Sequence, residues 1–321
     1  MIIIQLAGGL GNQMFQYALY LQLKSLGKEV KVDDVSGFVE DRQRDPALFP
    51  FGVTYERPTR EELQRMLDSS MLPWQRVRRK LLGRHKKSYF EESRLFIPEV
   101  LTWDDIYLEG YWQTERYFHG VADQVKAVYD TQRLIDWLKQ EGLWDGEENS
   151  VDRSGGSRDG SGVGMKTAAQ YLEEINSGCS VSIHVRRGDY MTPENQTLFG
   201  DICTDAYYIE GIRQMKERYP QCRFYLFCND KEWENGGVWK ENGIERVVLA
   251  GNQRDVDYAE FVLMSRCRHH ILANSSFSWW ASYLNPNPQR TVLAPDQWIN
   301  GADCRDYYRE DMQKIVLRPE K

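Results

Sequence analysis

The sequence predicts an α/β fold in two lobes, each built on parallel strands with helices between them. Three observations carry this. An apolar strand opens through a glycine turn into a helix, a later series of strand-like runs alternates with helices, and a polar stretch separates the two. With 321 residues, 41% of them apolar, the chain is long enough for two separate cores.

Residues 2–6 read as a buried strand. The turn Gly8-Gly9-Leu10-Gly11-Asn12 follows, then an amphipathic helix carrying Phe15, Ala18, Leu19, Leu23 and Leu26 at helical spacing until Gly27 stops it. Residues 29–32 form the parallel partner strand. Loops punctuated by prolines fill 46–58, a helix starts at Thr59, and a strand over 105–109 leads into G-Y-W-Q-T-E-R-Y-F from Gly110. The stretch 145–166 has nothing to bury and many glycines and serines, so it reads as a flexible loop. It divides an N-terminal lobe, 1–165, from a C-terminal lobe, 167–321. Strands are expected there at 181–185, 224–228, 246–249, 270–273 and 291–294, with helices over 205–218, 255–266 and 277–284.

Composition narrows the function. A net charge of −7 argues against broad nucleic-acid binding, so any phosphate site must be local. The N-terminus has no basic leader and its apolar run is far too short to span a membrane, which predicts a soluble, cytoplasmic protein. Six cysteines without a C-x-x-C pair read as reduced thiols, with neither a zinc cluster nor a dithiol site.

The polar residues after the strands share one rim of a parallel sheet, where ligands of open α/β sheets bind. They are Arg186 to Asp189, Asn229 with Asp230, Gly251 with Asn252, and Asn274, Ser275 and Ser276. Arg186 and Arg187 offer forks of donors to phosphate oxygens, against the plainer reading of a surface ion pair with Asp189. His184 either sits satisfied in the sheet end or aligns a substrate. Asn274 to Phe277 both cap a helix and present its N–H groups to a diphosphate. The turn at Gly9, Gly11, Asn12 and Gln13 suits close backbone approach to a ligand. Met14, however, stands where a dinucleotide fingerprint needs its third glycine, while Asp33 lies at the distance of a ribose-binding acid. Asp255-Val256-Asp257 resembles a metal-holding D-x-D but sits where a helix start favours acids, so no metal is indicated. The tripeptide Arg187-Gly188-Asp189 is too short a match to argue adhesion. The basic run from Arg76 to Lys87 reads as a solvated helix face or a peripheral membrane contact.

Three blocks together resemble the bacterial α-1,2-fucosyltransferases of glycosyltransferase family 11. They are G-G-L-G-N-Q-M-F-Q-Y-A from Gly8, H-V-R-R-G-D-Y from His184 and I-L-A-N-S-S-F-S-W-W from Ile271, with the Gly110 block as a fourth. The resemblance implies a GT-B fold of two Rossmann-like lobes with a cleft between them. It further implies GDP-β-L-fucose as donor substrate with no cofactor or metal, inversion at the anomeric carbon, and attack by the 2-hydroxyl of a terminal β-galactoside of lactose or N-acetyllactosamine type. By the same resemblance Arg186 contacts the donor pyrophosphate, and Gly11 and Asn12 face the donor. Tyr111 and Trp112 are the candidate acceptor platform. Asp189, Glu194 and His184 are the candidate general bases. Two rivals stay open: a nicotinamide-dependent oxidoreductase using the glycine turn and Asp33, and a non-catalytic carbohydrate-binding protein using the tryptophans.

Overall fold

The computed structural model describes residues 1–317 except 40, 42–43, 68–72, 84–86, 92, 146–165, 229–238, 240–241 and 251. It forms two compact units, Met1–Tyr129 with Asp303–Arg309, and Asp130–Ala302 with Glu310–Lys321.

The first unit holds β1 (Ile2–Gln5), α1 (Leu10–Ser25), β2 (Val30–Asp33), α2 (Arg60–Leu67), α3 (Pro73–Leu82), β3 (Ser88–Phe90), β4 (Ile106–Glu109) and α4 (Ala122–Val128). Its sheet runs β2-β1-β4-β3 with every pair parallel. Ile2, Ile3 and Ile4 are fully buried at its centre, as a strand flanked on both sides requires. The helix α1 departs from expectation, because it is not amphipathic: nearly every residue from Leu10 to Leu23 is buried. Two of its polar positions, Gln13 and Gln16, are fully buried too and must find partners inside. Gly27, at φ +76°, ends the helical path as expected.

The second unit holds α5 (Thr131–Gln140), α6 (Ala168–Asn176), β5 (Ser180–Val185), α7 (Pro193–Phe199), α8 (Asp205–Arg218), β6 (Arg223–Cys228), β7 (Glu245–Arg246), α9 (Gln253–Arg266), β8 (His269–Ile271), α10 (Ser276–Tyr283), β9 (Val292–Pro295) and β10 (Met312–Ile315). Four of the five expected strands are present, and the fifth shrinks to β7, which shares only Arg246 with the expected run 246–249. A sixth, β10, completes a wholly parallel sheet in the order β10-β9-β8-β5-β6-β7. Both lobes are thus α/β with parallel sheets. In α8, Gly211 lets the helix lie close to the sheet, since a Cβ there would stand 3.1 Å from Ile271 and Ile315 side chains.

Two expectations need correction. The units divide before α5, well ahead of the 145–166 stretch, because α5 packs on α9. The Trp137 ring sits edge-on to Tyr258 at 5.4 Å, and the Arg266 guanidinium donates to Thr131 Oγ1 at 2.8 Å. Most of the 145–166 stretch lies outside the described residues. Secondly, not all cysteines are free thiols, because Cys179 and Cys222 form a disulfide. The β5–β6 register pairs Ser180 with Arg223, which brings the two preceding cysteines together at the strands' entry ends. No spacing rule could show this across 43 residues.

Candidate active site

In the second sheet the strand order reverses between β5 and β8. The chain builds outward through β6 and β7 on one side and through β9 and β10 on the other. Such a reversal opens a crevice beyond the strands' carboxyl ends, where ligands of doubly wound folds bind. The segment Arg186–Gly188 leaves β5 there, and Leu272–Ser275 leaves β8 to start α10.

Several contacts lock the two segments together. The Arg186 guanidinium lies 5.8 Å from the centre of the Tyr190 ring, and the Tyr190 hydroxyl donates to the Asn274 carbonyl at 3.0 Å. The His184 and Phe277 rings sit 5.6 Å apart. Beneath them α8 reaches both strand ends, with Tyr208 donating to the His184 carbonyl at 3.0 Å and Tyr207 to the Leu272 carbonyl at 2.6 Å. Arg186 and Arg187 are half-buried.

His184 is buried, and its Nδ1 has no hydrogen-bond partner among the described residues. Burial, then the Arg186 charge, pushes its pKa down to about 3, so the ring is neutral near pH 7. Asn274 is committed to the scaffold. Its amide donates to the Trp298 carbonyl at 3.2 Å, and its oxygen faces the Cys203 thiol. The Ser275 hydroxyl accepts from the Phe277 N–H and caps α10, while Ser276 and Phe277 are half-buried on its first turn. Asn229 and Asp230 lie outside the described residues, as do the side chains of Asp189 and Glu194. Only His184 among the three candidate bases is therefore seen.

In the first sheet β1 and β4 are the central neighbours, and two more of the singled-out blocks meet beyond their carboxyl ends. Gly8 has φ +74°, and a Cβ on it would stand 2.6 Å from Asn12 Nδ2 and 3.1 Å from the Tyr111 ring. Asn12 Oδ1 accepts from Gln113 at 2.7 Å. Gly9 precedes α1 and Gly11 is buried in its first turn. Gln13 is wholly engaged, donating to the Gly8 and Asp45 carbonyls and accepting from the Ala47 N–H. Gln16, which the sequence reading passed over, ties the two loops together: it accepts from Ala7 N–H at 3.0 Å and donates to the Gly110 carbonyl at 2.8 Å. Two glutamines three apart in an otherwise apolar helix were the available signal.

Glu91 was also missed. Its buried Oε2 accepts from the Tyr111 and Trp112 N–H groups at 2.7 and 3.0 Å, and burial raises its pKa. Trp112 corrects an expectation, because its side chain is fully buried against Tyr117 and only Tyr111 remains partly open to a ligand. Asp33 is taken up as well, accepting from Val35 and Ser36 N–H groups and from the Tyr107 hydroxyl. It has little capacity left for a ribose. The Asp255 N–H donates to the Asn252 side-chain oxygen, which caps the start of α9. Among the described residues one group brings three potential metal donors together, Cys179, Cys222 and His269. Its sulfurs are bonded to each other and His269 Nδ1 accepts from Thr291 N–H, so the set does not fit a metal.

Residues 165–314, which include both segments at the β5–β8 reversal, match the model of glycosyl transferase family 11. Over its whole length the chain is 26% identical to an alpha-1,2-colitosyltransferase of Escherichia coli, of which it covers 97%. It is also 26% identical to galactoside alpha-(1,2)-fucosyltransferase 1 of Ateles belzebuth, over 86% of this chain and 63% of that one, and so spans less than two thirds of that relative. Among solved structures, fucosyltransferase NodZ from Bradyrhizobium is similar at a TM-score of 0.42 and 13% identity, over 92% of this chain and 96% of that one. The matched residues coincide with the second parallel sheet and begin within the polar stretch that precedes α6.

Proposed function

We propose that the protein moves L-fucose from GDP-β-L-fucose to the 2-hydroxyl of a terminal β-galactoside, with inversion and without a metal. One observation carries the reading: an arginine pair and a capped helix start flank the strand-order reversal within the residues that match family 11. That is the arrangement a diphosphate calls for, with fixed guanidinium donors on one side and the positive end of a helix on the other. The relatives named for fucosyl and colitosyl transfer supply the sugar and the α-1,2 linkage.

As the bond from the sugar to the diphosphate breaks, negative charge grows on the departing phosphate. A guanidinium held there before reaction stabilises the transition state more than the ground state, and Arg186 takes that role. The neutral His184 ring packs against Phe277, and the Tyr208 hydroxyl holds the His184 carbonyl just before the arginine. Release of GDP is measured with GDP-fucose against GDP-mannose, across a panel of galactosides, with and without EDTA. Turnover specific to GDP-fucose and galactoside, and indifferent to EDTA, is expected. GDP-mannose turning over equally well would overturn the donor assignment.

A second donor is favoured by the colitosyltransferase relative. Colitose differs from fucose by one hydroxyl. If the site hydrogen-bonds that hydroxyl, fucose is preferred by about 10⁴-fold in kcat/KM; a pocket that is apolar there discriminates weakly.

A further inference from the structure

We propose that α3 is an interfacial helix that seats the protein on an anionic phospholipid bilayer. The helix P-W-Q-R-V-R-R-K-L-L has an apolar face that the fold does not use. Trp74, Val77 and Leu81 share one face by helical spacing and are 60%, 57% and 76% exposed; Leu82 beside them is 80% exposed. An amphipathic helix in a globular protein normally buries such a stripe, and α1 of this same lobe is buried almost all round.

Charge identifies the occupant. The helix contains Arg76, Arg78, Arg79 and Lys80, and the chain from Ser69 to Phe90 contains no acid, in a protein of net charge −7. Of the cations in the run, Lys87 is bound to Asp105. A concentrated basic segment on an acidic protein is drawn to a negatively charged surface only locally, which orients the whole molecule. A tryptophan with leucines along one side and cations between them is the composition of a helix lying in the headgroup region. A second copy of the chain is the weaker candidate. Four side chains on ten residues present far less than the roughly 800 Å² per partner of a stable dimer.

The test is flotation of the full chain with vesicles of phosphatidylcholine alone and of phosphatidylcholine with 30% phosphatidylglycerol. The expected result is binding to the anionic vesicles only, falling about fivefold for each charge removed by Lys80→Gln and weakening in high salt. Trp74→Ser with Leu81→Ser should lower binding by tenfold or more. Both positions are exposed, so unfolding does not confound the result, and release of GDP from soluble substrates should be unchanged. Equal binding to both vesicle types, or retention by the double variant, would overturn the proposal. So would a dimer seen by light scattering that the same double substitution dissolves, since the stripe would then belong to a second copy. None of these readouts depends on which sugar is transferred.

Discussion

At the scale of single residues the proposed reaction turns on Arg186. Arg186→Ala should lower kcat with GDP-fucose by about 10²-fold or more while leaving the thermal midpoint unchanged; a near-normal kcat would remove Arg186 from the chemistry. His184 makes the opposite prediction. Its pKa of about 3 lies below the ordinary histidine value, so the fold favours the neutral ring. That stability is fully present above about pH 6.5 and is lost as pH falls toward 3, at up to about 1.4 kcal/mol per pH unit. His269, held near 4 by burial and by Arg268, adds to the same window. His184→Gln should therefore flatten the acid side of a denaturation-against-pH curve. A neutral ring of that pKa is a weak base near pH 7, so the same variant should leave the ionisations in the kcat/KM profile where they were. Glu91 is held by burial above the usual carboxylate range yet accepts two backbone bonds. Glu91→Gln should keep folding stability at pH 7, whereas Glu91→Ala orphans both N–H groups and should cost about 2 kcal/mol in chemical denaturation.

At the scale of elements, the motif-bearing loops are held by helices. Gln16→Leu fits the apolar surroundings of α1 but strands the Ala7 N–H and the Gly110 carbonyl. It should cost about 2 kcal/mol and raise KM for the acceptor more than for GDP-fucose; equal effects on both would deny Gln16 its part in positioning Tyr111. Strands were legible where apolar residues ran unbroken, as in β1, β5 and β6. They were hidden where they sit at an edge: β10 reads M-Q-K-I with its two middle residues exposed, and three-residue β3 has no period to detect. The α1 boundaries could be read from its glycines, but its burial could not. A helix covered on several sides looks amphipathic when three glutamines interrupt its apolar positions.

At the scale of the whole molecule, each of two parallel sheets carries two of the four sequence blocks, after the neighbouring strands β1 and β4 in the first and β5 and β8 in the second. The disulfide ties the entry ends of β5 and β6 within the second lobe. Closing a loop of 43 residues should contribute up to about 4 kcal/mol, so Cys179→Ser with Cys222→Ser should lower the denaturation midpoint by a corresponding amount, and no change would show the bond to be idle. Among the described residues no helix is long and apolar enough to cross a membrane.

The sequence alone determined the α/β class and most of the C-terminal strand series, and singled out the candidate segments, because these depend on local periodicity and on residue types whose chemistry does not change with context. Only the tertiary structure decided which segments meet, which of their side chains are already taken by the protein, and which cysteines bond. Strand order and register bring together residues tens or hundreds of positions apart, and burial then turns an ordinary histidine neutral and an apparent ligand such as Asn274 into scaffold.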